Sequence, residues 1–229
     1  MDRKKFIKNL GMGAVIAPIV PVALVSCTKS DDNPDITPSG CAVSPSETAG
    51  PFPIKTPADW VRENIVGNRK GVALRINLTV QNTNNNCTAL EGALVDLWHC
   101  DAAGNYSEYN NQLDGSFTSA HFLRGRQTTN ANGQVSFISI FPGWYPGRAP
   151  HLHLEILDRS GKSLLITQIA FPEDVSKKVY ATSGYKGDFD TSNTQDGIFT
   201  DSLAQNMADA VSGNTADGYT LTKILRVSV

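Results

Sequence analysis

The strongest constraint on the fold of this chain is a stretch of strict two-residue alternation about one third of the way along the sequence. Polar or small residues alternate from 72 to 80 with five apolar ones: Val72, Leu74, Ile76, Leu78 and Val80. Successive side chains of a β-strand point to opposite faces, so this pattern predicts a strand with one buried face. A helix would scatter the same apolar residues around its axis, because its period is 3.6 residues.

Shorter apolar runs follow, each bounded by Gly, Pro, Asn or Asp. They predict further strands at 93–98, 134–141, 151–157, 164–171 and 218–229. The only helical spacing, at 202–211, is short and weak. Many short strands with few helices predict an all-β fold, an antiparallel β-sandwich.

Composition narrows the function classes. The chain has 229 residues, of which 40% are hydrophobic, and a formal net charge of −2. This length suits one domain of ordinary to large size, or at most two small ones. Nucleic-acid-binding proteins usually carry an excess of Lys and Arg, and the near-neutral net charge of this chain shows no such excess. No apolar run reaches the roughly 20 residues of a membrane-spanning helix.

The amino terminus predicts export. A basic start precedes an apolar stretch that ends in Leu24-Val25-Ser26-Cys27 and resembles a bacterial lipobox. We therefore expect a lipoprotein signal peptide at 1–26, a lipid anchor on Cys27, a flexible tether at 27–40 and a folded domain at 41–229. The protein would then be membrane-anchored and face the periplasm or cell exterior. A plain signal peptide with an incidental cysteine is the alternative.

Three cysteines remain in the expected mature domain. An exported compartment permits disulfides, and three thiols allow one bridge plus one free cysteine. Cys41 and Cys87 lie in polar loops, whereas Cys100 follows an apolar strand. We favour a Cys41–Cys87 bridge, although the sequence leaves open whether the two are joined.

The candidate chemistry lies in the strand at 151–157. His151 and His153 share one face of this strand, and the leucines and isoleucine between and after them fill the other. Two such imidazoles are natural metal ligands, although a surface pair or a hydrogen-bonded pair would show the same spacing. Tyr145 lies on a Pro/Gly-rich loop that can fold back over them. A phenol ionises at neutral pH only beside a strong positive charge, so this set indicates iron rather than zinc.

The stretch Pro142-Gly143-Trp144-Tyr145 through Arg148-Ala149-Pro150-His151-Leu152-His153 resembles the iron-binding signature of the intradiol ring-cleavage dioxygenases, which act on catechol, hydroxyquinol or protocatechuate. Further stretches fit the same family in the same order: 45–52, 90–107, 122–125, 129–133 and 165–168. The resemblance extends over roughly residues 41–229.

The resemblance implies a non-haem Fe(III) cofactor and a ring-cleaving reaction. Its four protein ligands would be Tyr106, Tyr145, His151 and His153, and Arg148 and Gln168 would face the aromatic ring. The enzyme would insert both atoms of O2 into a catechol-type substrate and release a cis,cis-muconate-type product. Tyr145 would leave the metal on substrate binding and help to take up a substrate proton.

Other assignments stay open. Tyr109 is close enough to Tyr106 in sequence to be confused with it, and we expect structural roles for His99 and His121. The resemblance also places 202–211 in a terminal β-hairpin, which we favour over a helix. The sequence does not reveal which ring substituents are accepted. The oligomeric state is open too, because a short tether and signal stand where catechol enzymes of the family carry a helical dimerisation segment.

Two alternative functions compete with the dioxygenase. One is a non-catalytic β-sandwich binding module that has lost its iron, because transthyretin-like and carboxypeptidase-regulatory sandwiches share the strand opening at Glu91-Gly92-Ala93. The other is a zinc hydrolase that uses His151, His153 and Glu155.

Overall fold

The computed structural model describes residues 41–229, so the predicted signal peptide, Cys27 and the tether lie outside the described residues. Nine strands and two short helices are present: β1 Ala73–Asn82, β2 Thr88–Ala89, β3 Leu94–Trp98, β4 Arg124–Thr128, β5 Gln134–Ile140, β6 His151–Leu157, β7 Ser163–Ala170, α1 Glu173–Tyr180, α2 Leu203–Asn206, β8 Ala210–Asn214 and β9 Gly218–Val227. Single 3-10 turns lie at Pro57–Trp60 and Thr83–Asn85. Within residues 41–229, neither helix combines the length and apolar character needed to cross a membrane.

The strands form two sheets that confirm the predicted all-β sandwich. One sheet has the order β2-β1-β9-β8, with β5 also paired to β1, and the other has the order β4-β3-β6-β7. The pairs are antiparallel except that of β1 with β9, which is parallel and makes the first sheet mixed.

The core lies between the sheets and follows the alternation read from the sequence. The apolar face of β1 is buried, and it belongs to the same apolar cluster as the inward residues of β3 and β6. Leu152, Leu154 and Ile156 are fully buried there. Burial of each such side chain contributes roughly 1.5–3 kcal/mol, so this layer fixes β6 firmly in place.

The second sheet is covered on its outer face as well. Asp96 and Trp98 alternate along β3 with Val95 and Leu97 of the inner cluster, yet they are almost completely buried as well. The reason is tertiary: Trp98 packs in one apolar cluster with Ala49, Phe52 and Ile54, and Asp96 accepts two hydrogen bonds from Arg126. The Glu47 amide of the same amino-terminal segment donates to the carbonyl oxygen of Ile166 on β7. The covered outer face therefore offers polar side chains a site away from bulk water.

Two local predictions are settled by the structure. Cys41 and Cys87 form a disulfide with their Cα atoms 5.8 Å apart, and Cys100 is free and buried. For the stretch at 202–211, the helix and the hairpin interpretations are each correct in part. Leu203–Asn206 is helical, and the last two residues of the stretch begin β8 of a β8–β9 hairpin.

Candidate active site

Two histidines of β6 form the floor of a buried polar cluster on the outer face of the second sheet. His151 and His153 are 3% and 1% exposed, and their Nε2 atoms lie 3.0 Å apart. The indole of Trp98 on the neighbouring strand stacks on the His153 ring at 5.3 Å between centroids. Burial is the main cause that lowers the pKa of both imidazoles, that of His151 to about 3, so both rings are neutral.

The tautomer of His151 follows from its contacts. Its Nδ1 lies 2.6 Å from the carbonyl oxygen of Ala149, which can only accept, so Nδ1 carries the proton. Nε2 therefore presents a lone pair to the cluster. The hydroxyl of Tyr145 lies 3.1 Å from this nitrogen.

Two tyrosines from separate loops complete the cluster. The Tyr106 ring is 5.8 Å from the Tyr145 ring and 6.1 Å from the His153 ring, between centroids. Tyr106 is buried and its hydroxyl has no hydrogen-bond partner among residues 41–229, whereas Tyr145 is only half-buried. Burial raises the pKa of both phenols, that of Tyr145 to about 12. Both are protonated at neutral pH unless a cation lies between them.

Arg148 and Gln168 lie beside this cluster and contact each other. Arg148 Nη2 donates to Gln168 Oε1 at 2.6 Å, and Gln168 Nε2 donates to the carbonyl oxygen of Thr48 at 2.7 Å. Gln168 stands opposite His153 in the β6–β7 register. All six residues predicted from the sequence are thus brought to one region.

Comparison with known proteins identifies the family. Residues 52–183 match the Dioxygenase family, in its model named Dioxygenase_C. An intradiol ring-cleavage dioxygenase from Tetranychus urticae shares this fold with a TM-score of 0.72 at 31% identity, over 82% of this chain and 95% of that chain. This chain belongs to the intradiol ring-cleavage dioxygenase family.

Two further relatives define the extent of the likeness. The protocatechuate 3,4-dioxygenase beta chain of Burkholderia cepacia is 31% identical over 119 residues, which cover 49% of this chain and 51% of that protein. This intradiol dioxygenase family member therefore spans about half the length of the curated relatives it matches. The 3-chlorocatechol 1,2-dioxygenase of Rhodococcus opacus 1CP, at 19% identity and a TM-score of 0.57, supports the fold alone, over 81% of this chain and 72% of that chain.

The donor atoms of this family member can share one metal ion. Ring nitrogens bind a metal such as zinc at roughly 2.0–2.1 Å, so two nitrogens 3.0 Å apart can share one ion. The buried Tyr106 hydroxyl has no hydrogen-bond partner among residues 41–229, and a bound metal would give its oxygen a partner. No cluster of three or more His, Cys, Asp or Glu occurs in the part of the chain that the structure describes, so the zinc hydrolase with Glu155 finds no support there.

The amino-terminal segment forms one wall of the site, although its sequence shows only that the stretch 45–52 fits the family. Gly50 has a φ of +70°, and a Cβ built on it would lie 2.8 Å from His153 Cε1, so only glycine fits against the imidazole. The Phe52 ring packs 5.0 Å from the Tyr106 ring. Asp196 belongs to no motif of the sequence, yet its carboxylate accepts from Arg148 Nε at 2.9 Å.

The three aromatic residues set aside in the sequence analysis do have other partners. The Tyr109 hydroxyl donates to the carbonyl oxygen of Pro53 at 2.7 Å. His121 stacks on Trp60 and contacts Glu108 through Nδ1. His99 bridges the carbonyl oxygen of Cys100 and the Ser139 hydroxyl.

A close approach between the two tyrosine loops gives a first prediction. The Gly143 amide donates to the carbonyl oxygen of Asp101, and a Cβ at Gly143 would lie 2.5 Å from the carbonyl oxygens of both Asp101 and Ala102. Gly143→Ala must therefore push the loops of Tyr106 and Tyr145 apart. We expect a loss of about 2 kcal/mol in unfolding free energy and a smaller amount of bound metal. Urea unfolding and metal analysis measure both, with Gly197→Ala, which has open space, as control. Equal stability of the two variants would contradict the close approach.

Acid sensitivity of the iron-free fold gives a second prediction. Burial is the main cause that lowers the pKa of His99 to about 4, whereas an unfolded histidine titrates near 6.5. Between these values only the unfolded chain takes up the proton, so the unfolding free energy falls as the pH falls from 6.5 to 4. We expect His99→Gln to reduce the loss between pH 7 and pH 5 by roughly 2 kcal/mol. Urea unfolding at both pH values tests this, with His121→Gln for comparison. A wild-type pH dependence in His99→Gln would refute it.

Proposed function

We propose that this family member is a non-haem Fe(III) dioxygenase that inserts both atoms of O2 into a catechol-type aromatic. The ring would be cleaved between the two hydroxylated carbons to give a cis,cis-muconate-type product. The observation that carries the proposal is the convergence of two neutral histidines and two protonated tyrosines, one of them with an orphaned buried hydroxyl. Tyr106, Tyr145, His151 and His153 would hold the metal.

Fe(III) bound there would supply the positive charge that ionises the phenols, bind the two catechol oxygens and make the ring reactive toward O2. The rest of the chemistry falls to the chain. The proton that His151 holds on Nδ1 keeps its Nε2 free for the metal. Trp98, Phe52 and Gly50 close the floor and one wall of the site and keep water from it.

Tyr145 and Arg148 would act on the substrate itself. Tyr145 is the half-buried member of the tyrosine pair, so it is the one that can move aside and take up a catechol proton on its Oη. The Arg148 guanidinium would stabilise the negative charge that builds on the substrate as the ring opens. Gln168, held by Thr48, would orient the guanidinium and border the ring.

The cellular location is part of the proposal. We propose that the protein is exported and anchored by lipid at Cys27, with no nucleic-acid partner. The Cys41–Cys87 disulfide supports an oxidising compartment, where such bonds persist.

The visible absorption spectrum of the purified, iron-loaded protein, before and after anaerobic addition of catechol, tests the proposal. We expect a red-brown tyrosinate-to-Fe(III) band that moves to longer wavelength with catechol, followed by uptake of one O2 per catechol when air is admitted. A protein that stays colourless after iron reconstitution would instead favour the binding module. A coloured protein that binds catechol without consuming O2 would refute the ring-cleaving activity alone.

A further inference from the structure

Asp196 is a fully buried carboxylate that the family resemblance does not assign to any role. It lies in the long segment after α1, with none of its surface exposed. Its oxygens accept from Arg148 Nε at 2.9 and 3.0 Å, from the Ala149 amide at 2.8 Å and from the Ile198 amide at 2.9 Å. One side chain thus ties its own segment to the loop that carries Arg148.

These contacts fix the orientation of the guanidinium from two sides. Asp196 occupies Nε, and Gln168 on β7 occupies Nη2. Gln168 is itself held by the carbonyl oxygen of Thr48 in the amino-terminal segment. Three separate parts of the chain therefore determine where the planar fork of Arg148 lies.

Burial of the Arg148–Asp196 ion pair costs desolvation energy, and a need to orient the guanidinium would explain why the pair is nevertheless buried. The side chains of Arg148 and Asp196 are 14% and 0% exposed, so both charges have lost most of their hydration. A buried pair is seldom more stable than an apolar replacement, yet the loss of one partner leaves an uncompensated charge. A guanidinium that must meet developing charge without reorganising needs such a support.

We propose that Asp196 is a positioning residue, whose carboxylate holds the Arg148 guanidinium in the orientation that faces a bound catechol. This inference rests on the proposed function, because it needs a catechol in the site. It adds a residue that acts through Arg148 and touches neither substrate nor metal. Asp196→Asn keeps an acceptor oxygen for only one of the two backbone amides, Ala149 or Ile198, and removes the charge that holds the guanidinium.

Steady-state kinetics per bound iron and anaerobic binding of 4-nitrocatechol test the role. For Asp196→Asn we expect kcat to fall at least about 10-fold, and nitrocatechol affinity to fall several-fold, with iron content within about twofold of the wild type. Asp190→Asn is the matched control, because Asp190 accepts the Gly147 amide of the same loop from an exposed position. We expect it to stay within about twofold of the wild type in every readout.

A double-variant cycle separates positioning from a structural role. If Asp196 acts through Arg148, Asp196→Asn should change kcat and nitrocatechol affinity by less than about twofold in an Arg148→Met background. An equal loss in both backgrounds would overturn the proposal. So would an Asp196→Asn protein that unfolds at lower temperature but keeps kcat and nitrocatechol affinity.

Failure of the proposed function would look different. A wild-type protein that binds nitrocatechol but cleaves no catechol would refute the ring-cleaving activity, and the affinities of the variants would still decide the role of Asp196. A wild-type protein that binds no nitrocatechol would refute both.

Discussion

Tyr106→Phe is expected to weaken Fe(III) binding by more than about 100-fold, because loss of even an outer partner of a metal ligand costs roughly 10–100-fold. The same change is expected to stabilise the iron-free fold by about 1 kcal/mol. The Tyr106 hydroxyl is buried without a hydrogen-bond partner among the described residues, and such a group is costly to bury. Removal of this hydroxyl leaves the ring in place against Phe52.

Weaker iron binding together with a more stable iron-free fold is a combination that we expect only from the loss of a metal ligand. Iron content and the visible band measure the first effect, and urea unfolding of the iron-free protein measures the second. Tyr109→Phe is the control: its hydroxyl donates to the carbonyl oxygen of Pro53, so we expect a small loss of stability and unchanged iron. Full iron content and an unchanged spectrum in Tyr106→Phe would remove Tyr106 from the ligand set.

Periodicity predicted the strands whose inner faces are apolar, because burial of one face leaves a two-residue pattern in the sequence. It missed β4, whose residues Arg124–Thr128 are mostly polar, and α1. Arg124 and Arg126 belong to a strand because their side chains reach partners elsewhere: Arg126 forms two bonds to the buried Asp96, at 2.6 and 2.7 Å. Only the packed structure supplies those partners, so a local pattern cannot show them.

The candidate site likewise contains residues that the sequence predicts and residues that only the tertiary structure shows. Tyr145, Arg148, His151 and His153 lie within nine residues, so their spacing on a loop and a strand already placed them together. Gly50 and Asp196 reach the same place from far along the chain, and only the tertiary structure brings them there. The matching stretch at 45–52 was a usable signal for Gly50. Asp196 had none, because a lone Asp in a polar loop resembles a solvated residue.

Arg124→Met is expected to destabilise the protein by about 3–5 kcal/mol, or roughly 10 °C in Tm. The Arg124 side chain is fully buried and donates to the carbonyl oxygens of Phe52 and Ser107 and to the Ser107 hydroxyl, at 2.7–2.9 Å. Its guanidinium also lies 3.6 Å from the buried carboxylate of Glu108. Methionine fills much of the volume but leaves these acceptors unpaired and the carboxylate without its buried counter-charge.

Arg124→Met also tests how the Tyr106 loop is held. Ser107 follows Tyr106 in the chain, and the Phe52 ring packs on the Tyr106 ring. Arg124 therefore holds both neighbours of the expected ligand Tyr106 by hydrogen bonds. We expect iron content to fall together with stability in Arg124→Met, and to a smaller extent in Arg124→Lys, which keeps the charge but not the planar fork. Arg75→Met is the control, because Arg75 and Glu63 form an exposed pair at 3.5 Å that contributes no more than about 1 kcal/mol. If Arg124→Met is as stable as Arg75→Met, the loop is held by its apolar contacts, and the buried guanidinium contributes little to the metal site.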